Sequence, residues 1–520
     1  MKRPILSRRQ FAGQSAFLLA ALGLAPARLL AQQQATAPAR PWSAVKVGFA
    51  ERDITPKIGM EQPGGYGKSF HKTLHDPCKV RAVVFDDGKL KVALVGTDTL
   101  FNPRHLILAA RADIERRCGI PGANVMIGAS HSHSSGPTGM VQPGEFDHAS
   151  DLVKKLAYEK SSAADPEYLK LMRQQIADAV VAAHDARVEA HVAFGSGHED
   201  KVAFNRRQRM KNGLTFSHAG KVNPDIIGYA GPIDPQVGVL GAYDKAGKLL
   251  GVLVNYACHA TTSPGGISAN WIYYLEKTMR GALGGDFPVV FLQGACGDVT
   301  QVDNLNPYVN PAPERWAMQV GGRIGAEAVR ALLLAEPGGD LALNAAMKTL
   351  KIPRRKPAPE RLKEALDLVQ KDPKVAGATD WTFAKETVML DAILAKEPVA
   401  DVEVQAIQVG PAVFAANPAE YFVQLGLDIK KGSKFPLTFP VELANGIVGY
   451  VPTEEAFGPN GGGYETRLTA YSNWEITAGT QIVKGCLELI GKFTPGMIPM
   501  PAKAPTGLPW QYGNLAPQTK

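Results

Sequence analysis

Residues 81–98 read RAVVFDDGKLKVALVGTD, and this stretch decides the fold class. Two valine-rich runs flank an Asp-Gly turn at 87–88, which is the sequence signature of a β-hairpin. A second hairpin is legible in VGVLGAYDKAGKLLGVLVNYACH, residues 237–259. Helical stretches are predicted between such strands, at 104–117, 166–186, 271–283 and 313–335. The mixture predicts an α/β (α+β) fold in which helices flank a large mixed β-sheet core.

The first 35 residues predict a targeting segment that is not part of the fold. A basic start, an apolar core over 11–24 and small residues beyond it are typical of an export signal. The stretch SRRQF at 7–11 is a twin-arginine motif, so we expect a cleaved, periplasmic or secreted protein. Loss of residues 1–34 removes five cations and no acid, and the formal charge falls from +8 to +3. This small charge gives little reason to expect nucleic acid as a partner.

The remaining chain predicts one catalytic domain over 46–490 and a Pro-rich tail over 491–520. Two segments depart from the strand pattern: 141–165 suggests an insertion or lid, and 358–400 suggests a charged, amphipathic peripheral excursion. The five cysteines are widely spaced without a CxxC pattern, which argues against a cysteine-built zinc site. An oxidising compartment permits disulfides, but their odd number leaves the pairing open.

Several strand-like runs end in small residues followed by a polar group. GASHSH ends in His131 and His133, NYACH in His259, and NPAE in Glu420. The runs GTD, QGACGD and GYV end in the same way, at positions 98, 298 and 450. Because ligands collect beyond strand ends in open α/β sheets, convergence of these ends would make one polar site.

The imidazoles and the carboxylate at these ends favour a metal site. In extended chain, residues i and i+2 face the same side, so His131 and His133 can both address one metal, or one can act beside it. With His259 and Glu420 they give a His/His/Glu set, which is typical of hydrolytic zinc sites. Taken singly, each has an ordinary structural explanation, and no HExxH spacing is present. Bound zinc would acidify a water toward neutral pH and polarise a carbonyl.

Other polar residues are candidates for handling protons and charge. His133 is a candidate for holding or moving a proton during the reaction. Arg206 in AFNRRQRM and Tyr464 in GGGYETR are candidates for steadying an oxyanion, and Thr300 in GACGDVT is a hydroxyl at a strand exit. Serine-hydrolase chemistry competes with this interpretation. No GxSxG elbow is present, although two serines follow the histidines and a triad is recognised only in space.

In their order along the chain, these motifs resemble the neutral/alkaline non-lysosomal ceramidases. The resemblance covers roughly 46–490 and rests on DITPKIG…GGYG, SHSHSSGPTG, NYACHATT, QGACGDVT, NPAEYF and NGIVGYVPTEEA…GGGYET. It implies a ceramidase-like catalytic domain, one Zn²⁺ per chain and hydrolysis of the amide of an N-acyl lipid such as ceramide. The residues it implies are the zinc ligands His131, His259, Glu420 and Tyr450, His133 beside the metal, Tyr464 and Arg206 at the substrate or oxyanion, and Thr300 in place of the family serine.

The chain also departs from the family pattern. The loop after His133 reads GPTG instead of GPGG, and Asn270 stands where relatives commonly have an acid. We expect no C-terminal immunoglobulin-like domain, because only the tail 491–520 follows the last helical stretch. Alternatives to a ceramide-type substrate are therefore a different amide, an ester or a lactone, including sugar-derived ones, or a non-catalytic binding role. The expected partner is a small-molecule or lipid N-acyl substrate, with transient contact to a membrane surface.

Overall fold

A computed structural model describes residues 45–339, 341–513 and 515–520, and the predicted export signal lies outside them. The strands are β1 (Lys46–Asp53), β2 (Lys79–Asp86), β3 (Lys91–Thr97), β4 (Val125–Ala129), β5 (Val188–His198), β6 (Phe204–Asn205), β7 (Arg207–Met210), β8 (Thr215–Ser217), β9 (Ile226–Tyr229), β10 (Gln236–Asp244), β11 (Leu249–Tyr256), β12 (Val289–Gln293), β13 (Val299–Thr300), β14 (Leu343–Pro353), β15 (Val399–Val409), β16 (Ala412–Ala416), β17 (Ala419–Tyr421), β18 (Leu437–Val441) and β19 (Gly449–Val451). The α-helices are α1 (Arg104–Cys118), α2 (Asp151–Lys154), α3 (Pro166–Asp185), α4 (Trp271–Leu283), α5 (Pro313–Leu334), α6 (Pro359–Leu368), α7 (Pro373–Ala376), α8 (Ala378–Lys396), α9 (Val423–Gly432) and α10 (Ala478–Ile490).

Two mixed sheets form the centre of the fold. The larger has the strand order β12-β11-β10-β5-β1-β2-β3-β4, antiparallel except for the β11/β12 and β3/β4 pairs. The smaller has the order β14-β15-β16-β18, with β16 and β18 parallel. Both predicted hairpins are present as β2/β3 and β10/β11. At the first turn the Asp87 carboxylate accepts the N–H groups of Lys89 and Leu90, and Gly88 has a φ of +83°. The predicted mixed α/β class is confirmed.

Strand β2 shows why the sheets lie in the middle of the molecule. Successive side chains point to opposite faces of a strand, so a strand that is apolar on both faces is buried on both. Val80 and Val84 pack in the cluster formed with α1 and α3, whereas Val83 and Phe85 pack against the smaller sheet. Helices α4 and α5 cover the β10–β12 half of the larger sheet, and α9 and α10 cover the outer face of the smaller one. The order of layers is helix, sheet, sheet, helix.

The two segments predicted as separate departures from the strand pattern pack on each other. Residues 141–165 contain α2, which continues into a π-helical turn at Lys155–Glu159, and residues 358–400 contain α6, α7 and α8. Phe146 and Met389 share one apolar cluster, and the His148 ring bonds to the carbonyl of Ala392 at 3.0 Å. We call this paired unit the cap.

The described residues also bear on two questions left open by the sequence. All five cysteines lie among them and all are free thiols, four of them buried. Among the described helices, none combines the length and the apolarity that a bilayer span needs.

Candidate metal centre and active-site cavity

Loops after β4 and β11 bring three imidazoles to one place. His131 lies two residues beyond the end of β4 and has a left-handed backbone with a φ of +62°. The next two residues are held by the neighbouring strand ends: the Ser132 N–H donates to the carbonyl of Thr99, and the His133 N–H donates to that of Ala260. Because His259 immediately precedes Ala260, the two histidine-bearing loops are joined by backbone hydrogen bonding.

The carboxylate comes from the second half of the chain. Glu420 lies in the short strand β17, which runs parallel to β19, and its direct register partner is Tyr450. The Oε2 atom of Glu420 lies 3.3 Å from Nε2 of His131 and 3.4 Å from Nε2 of His259. The His133 Nε2 atom is 3.4 Å from Nε2 of His131. The strand ends that carry His131, His133, His259 and Glu420 therefore converge.

The donor set fits a divalent cation. Nδ1 of His131 donates to the carbonyl of Leu100 at 3.0 Å, and Nδ1 of His259 donates to that of Cys296 at 2.8 Å. These bonds place the Nε2 atom of each ring on the side of Glu420, and metal-ligating histidines are usually oriented by such bonds from their other nitrogen. Glu420 Oε2 is buried and has no hydrogen-bond partner among the described residues. An unpartnered buried carboxylate oxygen facing two imidazole lone pairs is costly unless a cation compensates it.

Arg206 connects the cluster of His131, His259 and Glu420, called the metal cluster here, to Tyr450 and its neighbour Tyr464. Its Nε donates to the Glu465 carboxylate at 2.8 Å, its Nη1 to His259 Nε2 at 3.0 Å and its Nη2 to the Tyr450 hydroxyl at 3.1 Å. Burial, followed by the charge of Arg206, lowers the pKa of His259 to about 3, so that imidazole is neutral. The hydroxyls of Tyr450 and Tyr464 are 3.0 Å apart. Burial raises the pKa of both tyrosines, so both are protonated phenols that can donate.

Thr300 lines the cavity, and its hydroxyl forms no hydrogen bond to a histidine among the described residues. Its hydroxyl donates to the Gln301 side-chain oxygen at 3.0 Å, and the Thr261 hydroxyl donates to the same oxygen, also at 3.0 Å. The sequence placed Thr300 among the catalytic groups, whereas its contact in the structure is with Gln301. No described serine hydroxyl hydrogen-bonds to a histidine, so the geometry offers the serine-hydrolase alternative no triad.

Two of the acids at strand ends lie outside the metal cluster. Asp98 accepts the guanidinium of Arg81 and the N–H of Lys79, which makes it part of a buried ion network. Asp298 accepts the Val423 N–H and the side-chain amide of Asn205. Both hold neighbouring backbone segments in place.

Three residues that contact this cluster were missed at the level of sequence. The Tyr471 hydroxyl donates to Glu420 Oε1 at 2.6 Å, and Glu465 fixes Arg206. Gly64 packs closely against the His133 ring, because a Cβ at this position would lie 2.2 Å from His133 Nδ1. Gly64 lies in the GGYG motif and Glu465 in the GGGYET motif, so both lie in stretches that the sequence singles out, whereas Tyr471 lies outside the quoted motifs.

These groups form the floor of a cavity of about 550 Å³. One side of the cavity is apolar, and Phe383 of the cap contributes to it. The Tyr66 and Phe383 rings meet edge to face with centroids 6.0 Å apart. The floor is lined by His131, His133, Arg206, His259, Glu420, Tyr450, Tyr464 and Tyr471, and the apolar side by Leu100, Phe101, Met140 and Phe383.

The chain is similar to the neutral ceramidases in sequence and in fold, and this similarity agrees with the resemblance read from the motifs. The neutral ceramidase of Pseudomonas aeruginosa is 27% identical over 287 residues, which are 51% of this chain and 38% of that protein. The crystal structure of neutral ceramidase from Pseudomonas aeruginosa aligns with a TM-score of 0.61 at 19% identity, covering 88% of this chain and 76% of that one. A ceramidase complexed with C2 aligns with a TM-score of 0.60 at 18% identity, covering 89% of this chain and 77% of that one. No family model matches the chain.

Proposed function

We propose that this protein is a zinc-dependent amidohydrolase that cleaves the amide bond of an N-acyl lipid such as ceramide. The observation that carries the proposal is that two imidazole Nε2 atoms lie close to the buried Oε2 of Glu420, which has no hydrogen-bond partner in the part of the chain that the structure describes. The similarity to neutral ceramidases supports the reaction class. The matched region spans 38% of the length of the Pseudomonas aeruginosa neutral ceramidase.

The metal would be held by His131, His259 and Glu420. Tyr450, the register partner of Glu420, is the fourth candidate ligand, and its hydroxyl is also bonded to Arg206. When bound in such a site, zinc polarises a carbonyl and lowers the pKa of a coordinated water. Glu420 is in turn held by the Tyr471 hydroxyl, so the carboxylate that faces the imidazoles has a fixed orientation.

The remaining groups on the floor are arranged to move a proton and to stabilise negative charge. His133 Nε2 lies beside His131 and lines the cavity, where it can take a proton from water and pass it to the leaving amine. Arg206 and Tyr464 present fixed donors to the same space, and Glu465 orients the guanidinium. Donors that are held in position before the reaction stabilise a developing oxyanion without reorganisation.

The apolar side of the cavity supports an acyl chain as the bound group. Leu100, Phe101 and Met140 line it together with Phe383 of the cap. Transfer of apolar surface from water into such a space is favourable by roughly 25 cal/mol per Å². We therefore expect turnover to increase as the acyl chain is lengthened.

Metal analysis combined with a panel of N-acyl amides tests the proposal. The panel keeps one amine and varies the acyl length. We expect one zinc per chain, loss of hydrolysis with chelator, recovery with added zinc and faster turnover of longer chains. Full hydrolysis by zinc-free protein would reject the mechanism. Stoichiometric zinc without hydrolysis of any amide would favour a binding protein, and rates indifferent to chain length would exclude a lipid substrate.

We also propose that the protein is exported through its twin-arginine motif. The support is the SRRQF context followed by a short apolar stretch. Replacing Arg8 and Arg9 together by lysine should leave uncleaved protein in the cytoplasm, whereas the wild-type chain should be found, shortened, outside it. Equal export of both would contradict the proposal.

A further inference from the structure

A second cavity of about 270 Å³ lies beside the first, and the two share Gln301, Asn310 and Trp316 in their linings. In contrast to the apolar side of the larger cavity, the lining of the smaller cavity includes three cationic side chains and one carboxylate. The charged residues are Lys201, Lys221, Arg323 and Asp303. A substrate bound at the metal can therefore extend from the metal cluster toward two chemically different spaces.

Gln301 stands at the junction and presents its amide nitrogen. Its side-chain oxygen accepts both the Thr261 and the Thr300 hydroxyls, which fixes the orientation of the amide group. Among the described residues, no hydrogen-bond acceptor is found for its Nε2. Although most of the Gln301 side chain is buried, its Nε2 reaches the space of the two cavities that it lines, where a ligand can accept its hydrogen bond.

The charge of Lys221 is the second element of this subsite. Its ammonium donates to the Asn310 side-chain oxygen at 2.9 Å and to the backbone carbonyl of Asp303 at 3.3 Å, both neutral acceptors. The Asp303 carboxylate is engaged by the Tyr229 hydroxyl at 2.6 Å. The other two cations are partnered with acids: Arg323 with Glu199, and Lys201 with Asp200. Among these three cations, Lys221 is the one whose described hydrogen-bond partners include no carboxylate, so its charge is available to an anionic ligand.

We propose that the smaller cavity binds the amine portion of the substrate and selects an amine portion that carries an anionic group, a carboxylate or a phosphate. This inference rests on the proposed amidohydrolase function. The apolar side of the larger cavity takes the acyl chain, so the amine portion extends past Gln301, whose amide donates to it. The anionic group then pairs with Lys221.

Three substrates with one dodecanoyl chain test this selection in the zinc-loaded protein. They are N-dodecanoyl serine, N-dodecanoyl phosphoethanolamine and the neutral N-dodecanoyl serinol. We expect kcat/KM for an anionic compound to exceed that of the neutral one by roughly tenfold, as a charge-assisted hydrogen bond allows. The carboxylate and phosphate arms show which anion fits. Lys221→Met should abolish this preference, because kcat/KM for the anionic compounds should fall to about that of the neutral one.

Lys484→Met is the matched control, because Lys484 is an exposed lysine of α10 that lines neither cavity. It should keep the preference. If Lys221→Met does not fold, Lys221→Gln serves as the second variant. Preference for the neutral compound, or an unchanged preference in the Lys221 variant, would overturn the inference. Hydrolysis of the neutral compound would still support the proposed amidohydrolase function.

A binding measurement separates the two failures. If none of the three amides is hydrolysed, the proposed function falls, and calorimetric titration of the same compounds decides on the subsite alone. Tighter binding of an anionic compound that is lost in Lys221→Met supports the subsite. Equal binding of all three compounds overturns it.

Discussion

The floor and the apolar side of the larger cavity are built in different ways. On the floor, His131 and His259 follow strands of the larger sheet, and backbone carbonyls fix both rings. The apolar side instead takes Phe383 from the cap, which packs on the layers from outside. The comparison teaches that the groups for chemistry are oriented by hydrogen bonds, whereas the groups for selecting the acyl chain are placed by packing. Substitutions in the two regions should therefore change different quantities.

The largest effect is expected on the floor. His259→Ala removes one imidazole of the metal cluster and leaves Glu420 Oε2 with a single imidazole nitrogen nearby. We expect loss of stoichiometric zinc and a fall in kcat of at least about 10³-fold, because in the proposed reaction the metal would polarise the carbonyl and acidify the water. Metal analysis and amide hydrolysis measure the two effects. His198→Ala, at an exposed histidine, is the control and should change neither.

A smaller effect is expected where the floor meets the adjacent loop. In Gly64→Ala the new Cβ would lie 2.2 Å from His133 Nδ1, so the ring must move. We expect kcat to fall about 10²-fold, as for a displaced catalytic group, with zinc content unchanged. Gly59→Ala is a closely matched control, since Gly59 also has a positive φ, +92°, but its Cβ would meet nothing within 4 Å. Equal losses in both variants would mean that backbone strain, not the His133 contact, is responsible.

A third prediction concerns the support beneath the floor. Glu442 is fully buried, and its Oε2 accepts the N–H groups of Cys296 and Tyr421 at 2.9 and 2.8 Å, next to the segments that hold His259 and Glu420. Burial raises the pKa of Glu442 to about 8. Between its ordinary pKa of about 4.5 and this value, only the folded protein keeps the proton. Wild-type stability from this group is therefore present at low pH and lost as the pH rises toward 8.

Glu442→Gln removes this titration while keeping the shape of the side chain. From about pH 5 to about pH 7.5, the stability of the variant relative to wild type should rise by about 2–3 kcal/mol, at no more than about 1.4 kcal/mol per pH unit. Urea unfolding with chelator present, at each pH, measures the difference. A difference that stays constant across this range would contradict the raised pKa.

The sequence predicts the sheet layers well because burial on two faces leaves a local signature. The valines of β2 and the Asp87-Gly88 turn give both the strand and its partner without any knowledge of distant residues. The same holds for the histidines after β4 and β11, since a polar group at the end of an apolar strand is a local pattern. The histidines of the floor can therefore be predicted from short stretches of sequence.

The second half of the floor depends on pairings that no short stretch reveals. Glu420 meets Tyr450 through the register of two three-residue strands, and Tyr471 reaches Glu420 by a side-chain hydrogen bond. The strand-end pattern singled out Tyr450 as a polar group, but only the resemblance to a known family pointed to it as a metal ligand. The contact between 141–165 and 358–400 was also missed, because neither segment carries a pattern that names its partner. Long-range packing between such segments is fixed only once the layers are in place.

The smallest effect is expected at the apolar side, where it should appear as selectivity, not as loss of chemistry. Phe383→Ala removes a ring that lines the cavity and touches Tyr66. We expect zinc content and turnover of a short acetyl amide to be unchanged, while kcat/KM for a long-chain amide falls roughly tenfold, since burial of apolar surface is lost. Phe70→Ala, at a phenylalanine that is 54% exposed and lines neither cavity, should leave the chain-length profile unchanged. A Phe383 variant that loses short- and long-chain activity equally would show that the cap also orients the floor, and the separation between the two regions would not hold.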